Sequence, residues 1–204
     1  MHDVVLAPGL WMPGVAMALM AVRLRQAGYV PHVFAYRGRN AFGANVARFA
    51  GFIGEALGGR PAHFIGHSLG GLLVLETLNR HSDIGVASAV LLGAPVRGCL
   101  AGRRFGGARY GRWMMGSCGE LWQEREARWE RAEPLGVVAG THPFGLGRAF
   151  GRLPGPNDGV VCVDETAVDG MTDRLLVPTG HSVLIVSGAV LAHVERFLAC
   201  SRFQ

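Results

Sequence analysis

Six short apolar runs alternate along the chain with longer segments in which apolar residues recur at helical spacing. This alternation is typical of β-α units that build a mostly parallel sheet covered by helices. We expect strands at Val4–Leu6, His32–Tyr36, His63–Gly66, Ala89–Leu92, Val137–Ala139 and Leu175–Pro178. The sequence therefore predicts an α/β fold with a central sheet of about six strands flanked by helices.

Helices are expected in the gaps between these strands. Residues Ala44–Leu57 carry apolar side chains that would form one buried stripe: Val46, Phe49, Ala50, Ile53 and Leu57. The segment after the last strand repeats this spacing with Val183, Val186, Val190, Val194 and Phe197. A chain of 204 residues, half of them apolar, has the size of one compact domain, so we expect residues 1–204 to form a single domain.

Roughly forty residues without a strand separate the fourth and fifth predicted strands, which is long for a loop of a compact domain. Residues Arg97–Arg112 are rich in glycine and arginine, and Glu120–Glu133 is predicted to be a charged helix that carries Trp122 and Trp129. We interpret residues 97–133 as an insertion that caps a site. The alternative is a surface excursion that packs its two tryptophans on the body.

The segment Gly66–Gly71, with sequence Gly-His-Ser-Leu-Gly-Gly, fits the pattern G-x-S-x-G. A predicted strand precedes it and the predicted helix Leu69–Arg80 follows it, which is the context that a nucleophile elbow requires. Gly66 and Gly70 keep side chains out of the space beside a sharp turn that exposes the hydroxyl of Ser68. A phosphate-binding P-loop is excluded, because the pattern would need a lysine and the chain has none.

Among eight histidines, position selects His181 as the base that would activate Ser68. It lies between the last predicted strand and the C-terminal helix, at the sheet edge where Ser68 also lies. His67 adjoins the serine, but we expect its side chain to point elsewhere. The remaining histidines are expected to be structural or solvated: His2, His32, His63, His81, His142 and His193.

The base needs a carboxylate that fixes its tautomer and stabilises the imidazolium. We predict Asp158, which lies in the turn-rich loop Gly155–Val160 beside a glycine that lets the backbone present the side chain. Asp164 is the next candidate and would otherwise be a surface carboxylate. Further rivals come from the same region: Glu165, Asp169 and Asp173.

An acyl-transfer site also needs two N–H donors for the oxyanion. We predict the backbone amides of Leu69, directly after the serine, and Leu10, in the loop after the first strand. The alternative for that loop is that Gly9 and Pro13 merely form a turn.

Leu10 and four further residues are apolar enough to line a substrate pocket, and the same residues would equally suit an ordinary core. The four predicted substrate-binding residues are Trp11, Trp113, Met114 and Met115.

The formal charge of +5 comes entirely from arginine. Guanidinium groups bind carboxylates and phosphates, so peripheral contact with an anionic membrane or lipid is one interpretation, and solvated surface charge is the other. No nucleic-acid motif is present, and no obligate protein partner is indicated. Four scattered cysteines indicate neither a metal site nor a disulfide framework, and no cofactor is expected: Cys99, Cys118, Cys162 and Cys200.

The apolar stretch Trp11–Val22 does not fit a signal peptide. No basic residues precede it, Pro13 interrupts it, and Arg23 and Arg25 follow it. No apolar run reaches the roughly 18 to 20 residues that a membrane span requires. We therefore expect a cytoplasmic protein.

Taken together, these motifs resemble the small bacterial lipases and esterases of the α/β-hydrolase fold, including the branch related to GPI inositol-deacylase-like proteins. The resemblance covers nearly the whole chain and is carried by Pro8-Gly9-Leu10, Gly66–Gly71, Asn157–Val161 and Gly180-His181. The chain departs from many lipases in having Pro8 where they carry a histidine before the glycine.

The resemblance implies a serine hydrolase that cleaves carboxylic esters, from a small molecule or a lipid, through an acyl-enzyme on Ser68. Two other classes stay open. An acyltransferase or thioesterase would use the same three residues, and a non-catalytic binding module would use only the fold.

Overall fold

The computed structural model describes residues 2–12, 14–143 and 151–204. The strands are β1 (His2–Ala7), β2 (Tyr29–Val33), β3 (Ala62–His67), β4 (Val86–Leu92), β5 (Leu135–Gly140) and β6 (Asp173–Val177). The α-helices are α1 (Ala18–Gln26), α2 (Phe42–Leu57), α3 (Leu69–Arg80), α4 (Leu100–Gly107), α5 (Arg109–Met115) and α6 (Gly188–Cys200). Short 3₁₀ helices occupy Gly14–Met17, Gly116–Trp122, Val163–Thr166 and His181–Val183.

All six strands pair in parallel in one sheet of order β2-β1-β3-β4-β5-β6. This confirms the predicted α/β fold and its strand number. Because the strands are parallel, their carboxyl ends share one edge, and the loops that follow β1, β3, β5 and β6 meet there.

The second strand begins at Tyr29 rather than at the predicted His32. It includes Pro31, which lies opposite Val4 of β1. Proline cannot donate to a sheet and is therefore confined mostly to edge strands. Since β2 is an edge strand, no neighbouring strand on its outer side needs the amide hydrogen that Pro31 lacks.

Helices cover both faces of the sheet, and alternate strand residues point to different layers. Val5 and Ala7 pack in a core with α2 and α3, whereas Val4 and Leu6 pack in a second core with α1 and α6. The predicted stripe of α2 is buried at Val46, Phe49, Ile53 and Leu57. Two cores on opposite faces make the sheet the rigid centre of the molecule.

The predicted stripe of the last helix is only partly correct. Val190, Val194 and Phe197 are buried on α6. Val183 and Val186 precede the helix, which begins at Gly188 with Ser187 as its N-cap, and both valines are exposed. The N-cap side chain accepts the amide hydrogen of the third helical residue, and this fixes the start of the helix.

The charged helix predicted for Glu120–Glu133 is wrong. The chain leaves a 3₁₀ helix at Trp122 and continues without helical structure, while the glycine-rich segment before it forms α4 and α5. Backbone hydrogen bonds to other loops replace those of a helix: Trp129 N donates to Asp169 O at 2.8 Å, and Arg125 N donates to Arg97 O at 3.3 Å. Tertiary contacts thus override helix propensity here.

Both tryptophans of the insertion are buried. Trp122 and Trp129 belong to the same core as α2 and α3. The segment after Trp122 therefore packs on the body, as the alternative interpretation expected, whereas α4 and α5 lie on the side of the sheet edge where the loops meet.

Replacing Gly70 by alanine is expected to lower the free energy of unfolding by about 3 kcal/mol, because two backbone carbonyl groups would have to move to accommodate the methyl group. A Cβ on Gly70 would lie 2.1 Å from the carbonyl oxygen of Ala7 and 2.5 Å from that of Pro8. Urea denaturation of the two proteins measures the difference.

The matched control is Gly51→Ala, at an exposed position inside α2 where a Cβ meets nothing within 4 Å. This change should raise stability by up to about 1 kcal/mol, since glycine is a poor helix former. Equal effects at the two positions would refute the close packing of the first turn of α3.

Candidate functional site

Ser68 occupies the sharp turn between β3 and α3. Its backbone has φ 53° and ψ −122°, a conformation that side-chain-bearing residues rarely adopt. A Cβ on Gly66 would lie 2.5 Å from Gly70 O, and one on Gly71 would lie 2.4 Å from the Cβ of Ala94. Glycines at these positions let the strand and helix approach closely, and the strained turn lifts the serine hydroxyl out at the sheet edge.

Asp158 and His181 form a buried pair. His181 Nδ1 lies 2.7 Å from Asp158 Oδ2, and the two side chains are 10% and 1% exposed. Asp158 Oδ1 accepts the amide hydrogens of Val160 at 2.9 Å and Val161 at 2.7 Å. The backbone adds a further link, because His181 N donates to Asp158 O at 2.9 Å. Since a carboxylate only accepts, the pair places the hydrogen on Nδ1 and leaves Nε2 as the basic nitrogen.

The rival carboxylates lie elsewhere. Asp164 is exposed, and Asp169 forms an ion pair with Arg97. Glu165 accepts the amide hydrogens of Leu100 at 2.6 Å and Cys162 at 2.8 Å, which ties the start of α4 to the body. Of the predicted candidates, the structure brings Asp158 to His181.

Two glycines that the sequence reasoning missed make room for this pair. A Cβ on Gly93, after β4, would lie 3.1 Å from Asp158 Oδ2 and 3.2 Å from His181 Nδ1. A Cβ on Gly140, the last residue of β5, would lie 2.7 Å from the Cβ of Asp158. Glycine at the carboxyl ends of two neighbouring strands is the signal that could have located them.

His67 was expected to point away from the site, and that expectation is wrong. Its ring packs on the ring of His181 with centroids 4.7 Å apart, and its Nε2 lies 3.1 Å from the backbone oxygen of His181. A carbonyl only accepts, so Nε2 carries the hydrogen. His67 Nδ1 is then a buried acceptor without a hydrogen-bond partner in the described part of the chain. Burial, with a smaller contribution from His181, lowers the pKa of His67 to about 3, which keeps the ring neutral.

The loop after β1 lies against the serine. Tyr36 donates its hydroxyl to Pro8 O at 2.8 Å, and a Cβ on Gly9 would lie 3.0 Å from the Cβ of Ser68. The side chains of Leu10 and Leu69, the predicted amide donors, lie beside Gly38, where a Cβ would be 2.8 Å from Leu10 Cδ1 and 3.1 Å from Leu69 Cδ2. Within the described ranges, neither amide donates to the backbone of another loop or strand. Pro13, part of the alternative interpretation of this loop, lies outside the described residues.

A largely apolar cavity of about 190 Å³ opens above the serine. Its wall combines the elbow, the loop after β1 and the insertion, including Ser68, His181, Leu10, Trp11, Ala101, Phe105, Met115 and Trp122. The insertion thus closes one side of the site, and an apolar group of modest size fits there.

Two of the four predicted substrate-binding residues, Trp11 and Met115, line this cavity, and the other two do not. Trp113 is 64% exposed on the outer side of α5, and Met114 lies beside the cavity with its carbonyl accepting Trp11 Nε1–H at 3.1 Å. Successive residues of a helix point in different directions, so a run of three apolar residues cannot face one cavity.

Cys99 also lines the cavity but is poorly suited to nucleophilic chemistry. Burial raises the pKa of its thiol to about 12, with a smaller contribution from Glu165. Thiols react as thiolates, and a buried thiol with a high pKa is almost entirely protonated near neutral pH. The Cys99 thiol is therefore not a candidate nucleophile near neutral pH.

Ser68 and His181 line the same cavity, yet no hydrogen bond between their side chains is formed in the described structure. Such contacts are often long in ligand-free sites and shorten when substrate binds.

Within residues 2–12, 14–143 and 151–204, no three histidine, cysteine, aspartate or glutamate side chains are grouped to hold a metal ion. In the same ranges, every helix is too short or too polar to cross a bilayer. The four cysteines are free, three of them buried.

Comparison with known proteins relates the chain to one large family. The sequence profile of the Alpha/beta hydrolase family matches residues 4–197. No curated protein gives a significant match.

Three solved structures share the fold. The mature lipase BlEst2 of Bacillus licheniformis has a TM-score of 0.78 at 16% identity, covering 98% of this chain and 92% of that one. The esterase RhEst1 of Rhodococcus sp. ECU1013 has a TM-score of 0.62 at 16% identity, covering 98% and 90%. A pyrethroid hydrolase of Sphingobium faniae JZ-2 has a TM-score of 0.61 at 13% identity, covering 98% of both chains. The narrower resemblance to GPI inositol-deacylase-like proteins stays a prediction.

Replacing His67 by glutamine is expected to reduce the loss of stability that the protein undergoes as the pH is lowered. The unfolded chain takes up a proton on this histidine below a pH of about 6.5, whereas the folded protein does so only near the pKa of about 3. The free energy of unfolding therefore decreases as the pH falls between these two values, by about 1.4 kcal/mol per pH unit.

In His67→Gln the free energy of unfolding should fall less steeply between pH 6 and pH 4 by about that amount, measured by urea denaturation at several pH values. The double variant with His63→Gln should fall less steeply still, because burial lowers the pKa of His63 to about 4. Identical slopes for wild type and His67→Gln would contradict a buried, neutral His67.

Proposed function

Because the chain belongs to the Alpha/beta hydrolase family, we propose that it is a serine hydrolase that cleaves carboxylic esters through an acyl-enzyme on Ser68. The observation that carries this proposal is the buried pair of His181 and Asp158, joined at 2.7 Å, beside the cavity into which Ser68 opens. A base oriented by a carboxylate and placed beside a strained serine is the arrangement that acyl transfer requires.

Acylation begins when His181 Nε2 takes the proton of the Ser68 hydroxyl and Oγ attacks the ester carbonyl carbon. The carbonyl oxygen becomes an oxyanion, which the amide hydrogens of Leu10 and Leu69 stabilise. The tetrahedral intermediate collapses, the bond to the alcohol oxygen breaks, and the imidazolium returns its proton to the leaving alkoxide. Water then repeats these steps on the acyl-enzyme and releases the acid.

Asp158 acts in both halves of this cycle. It keeps the hydrogen on Nδ1 and stabilises the positive charge of the imidazolium. Its second oxygen is occupied by the amides of Val160 and Val161, so the carboxylate cannot rotate away from His181 without losing two hydrogen bonds. This rigidity holds Nε2 in position for each proton transfer.

The cavity supports an ester with a short apolar group on one side of the scissile bond. Its volume of about 190 Å³ is below the roughly 300 to 1,000 Å³ of pockets that enclose drug-sized ligands. Apolar side chains dominate its walls, with Ala101, Phe105 and Met115 contributed by the insertion.

With p-nitrophenyl butyrate, the wild type should release a burst of nitrophenol equal to the enzyme concentration, followed by slower turnover. Ser68→Ala should lose both phases and also covalent labelling by a fluorophosphonate. Ser82→Ala, at an exposed turn position, is the control and should retain both. If the fluorophosphonate labelled another residue of the Ser68→Ala protein, that residue would be the nucleophile and the proposal would be wrong.

Asp158→Asn should lower kcat by about 10⁴-fold, because an amide in this place favours the wrong tautomer of His181. Asp164→Asn, at the exposed rival position, should leave kcat within about twofold. Steady-state kinetics on the same ester measure both, with circular dichroism to confirm folding. A loss of activity in Asp164→Asn alone would reverse the assignment.

A further inference from the structure

Exposed aromatic side chains gather at the mouth of the cavity. The aromatic rim consists of Trp11, Tyr110 and Trp113, which are 48%, 66% and 64% exposed. These three are the exposed large aromatic residues in the described part of the chain. Monomeric soluble proteins rarely expose contiguous apolar surface without an interaction that uses it.

Direct contacts join these residues into one surface. The Tyr110 and Trp113 rings lie 5.8 Å apart, and the guanidinium of Arg39 lies 5.1 Å from the centre of the Trp113 ring. Trp11 Nε1 donates to the carbonyl of Met114, the neighbour of Trp113, at 3.1 Å. Because Trp11 also lines the cavity, the rim is continuous with the opening to Ser68.

Most of the charged side chains on this side of the molecule are arginines. Residues 4–54 and 84–119, which supply the loops after β1 and β2 and the helices α4 and α5, each contain five arginines and no aspartate or glutamate. All fifteen acidic residues lie outside these two stretches. Three exposed arginines adjoin the rim: Arg39 stacks on Trp113, and Arg109 and Arg112 share α5 with Tyr110 and Trp113. Arg37, two residues before Arg39 in the chain, is exposed as well. Glu124 reaches this region from outside it, where it pairs with Arg103.

We infer that the aromatic rim and its arginines form a docking surface for an anionic lipid bilayer, with the cavity mouth facing the membrane. Tryptophan and tyrosine partition to the interface between lipid and water, and arginines bind the phosphate groups of anionic lipids. A single-stranded nucleic acid would match the charge and could stack on the rings, but it has no apolar group to fill the cavity that the rim adjoins. Docking depends only on this surface, whereas its use for catalysis rests on the proposed function.

The test uses the Ser68→Ala protein, so that binding is measured without hydrolysis and independently of the proposed function. Vesicles of phosphatidylcholine alone are compared with vesicles of equal parts phosphatidylcholine and phosphatidylglycerol by co-sedimentation. Binding to the anionic vesicles and not to the neutral ones is expected. It should weaken as salt rises from 0.1 M towards 1 M, where the screening length falls from about 10 Å to about 3 Å.

Reversing two charges beside the rim, Arg109→Glu with Arg112→Glu, should weaken binding by at least about twentyfold, since each arginine at an anionic surface strengthens it about fivefold. The matched control, Arg128→Glu with Arg196→Glu, changes the net charge equally. Both control residues are exposed near the opposite edge of the sheet, where α3 and α6 end. The control should bind within about twofold of the parent.

Tryptophan fluorescence gives a second readout, because Trp122 and Trp129 are buried while Trp11 and Trp113 are exposed. Lipids with brominated acyl chains should quench the parent protein, and Trp113→Phe should be quenched less.

Three results would overturn the proposal: equal binding to neutral vesicles, an equal loss in the control pair, or tighter binding to a single-stranded DNA oligonucleotide than to the anionic vesicles.

Discussion

At Gly70 the first turn of α3 approaches the end of β1 so closely that a Cβ would lie 2.1 Å from the carbonyl oxygen of Ala7. This contact sets the distance between the serine turn and the loop after β1. Gly9 consequently lies against Ser68, because a Cβ on Gly9 would be 3.0 Å from the Cβ of the serine. An oxyanion site built from backbone donors needs no side chain, but it requires two chain segments held at a fixed separation.

The pair of Asp158 and His181 likewise depends on glycines, which leave room for it at the carboxyl ends of β4 and β5. Gly93 directly follows β4 and Gly140 ends β5, and a Cβ at either position would lie within 3.2 Å of Asp158 or His181 atoms. His67 then covers the far side of the His181 ring and donates to its backbone carbonyl. A neutral ring here stabilises the loop without adding a positive charge beside the imidazolium that acyl transfer would form.

Sequence patterns predicted those features of the fold that depend on the spacing of residues within a short segment. The six strands, the elbow at Ser68 and the loops of Asp158 and His181 each follow from a short motif whose position along the chain fixes its place at the sheet edge. The insertion could not be predicted in the same way, because the hydrogen bonds of Trp129 to Asp169 and of its neighbours to other loops are tertiary. The role of His67 was missed for the same reason, since only the fold shows that its ring meets His181.

Trp11 connects the helices α4 and α5 to the loop after β1. It has a positive φ of 59°, directly after Leu10, and its ring packs edge-on against Phe105 of α4 at 5.6 Å while its indole donates to Met114 O. A second contact holds α5 from the other side, where Arg39 donates to Trp113 O at 2.6 Å. A displacement of α4 and α5 would therefore also displace Trp11, which directly follows Leu10 in the chain. The positions of α4 and α5 and the conformation of the loop after β1 are thus set together, so the surface around the cavity mouth is linked to the loop that carries one of the proposed oxyanion donors.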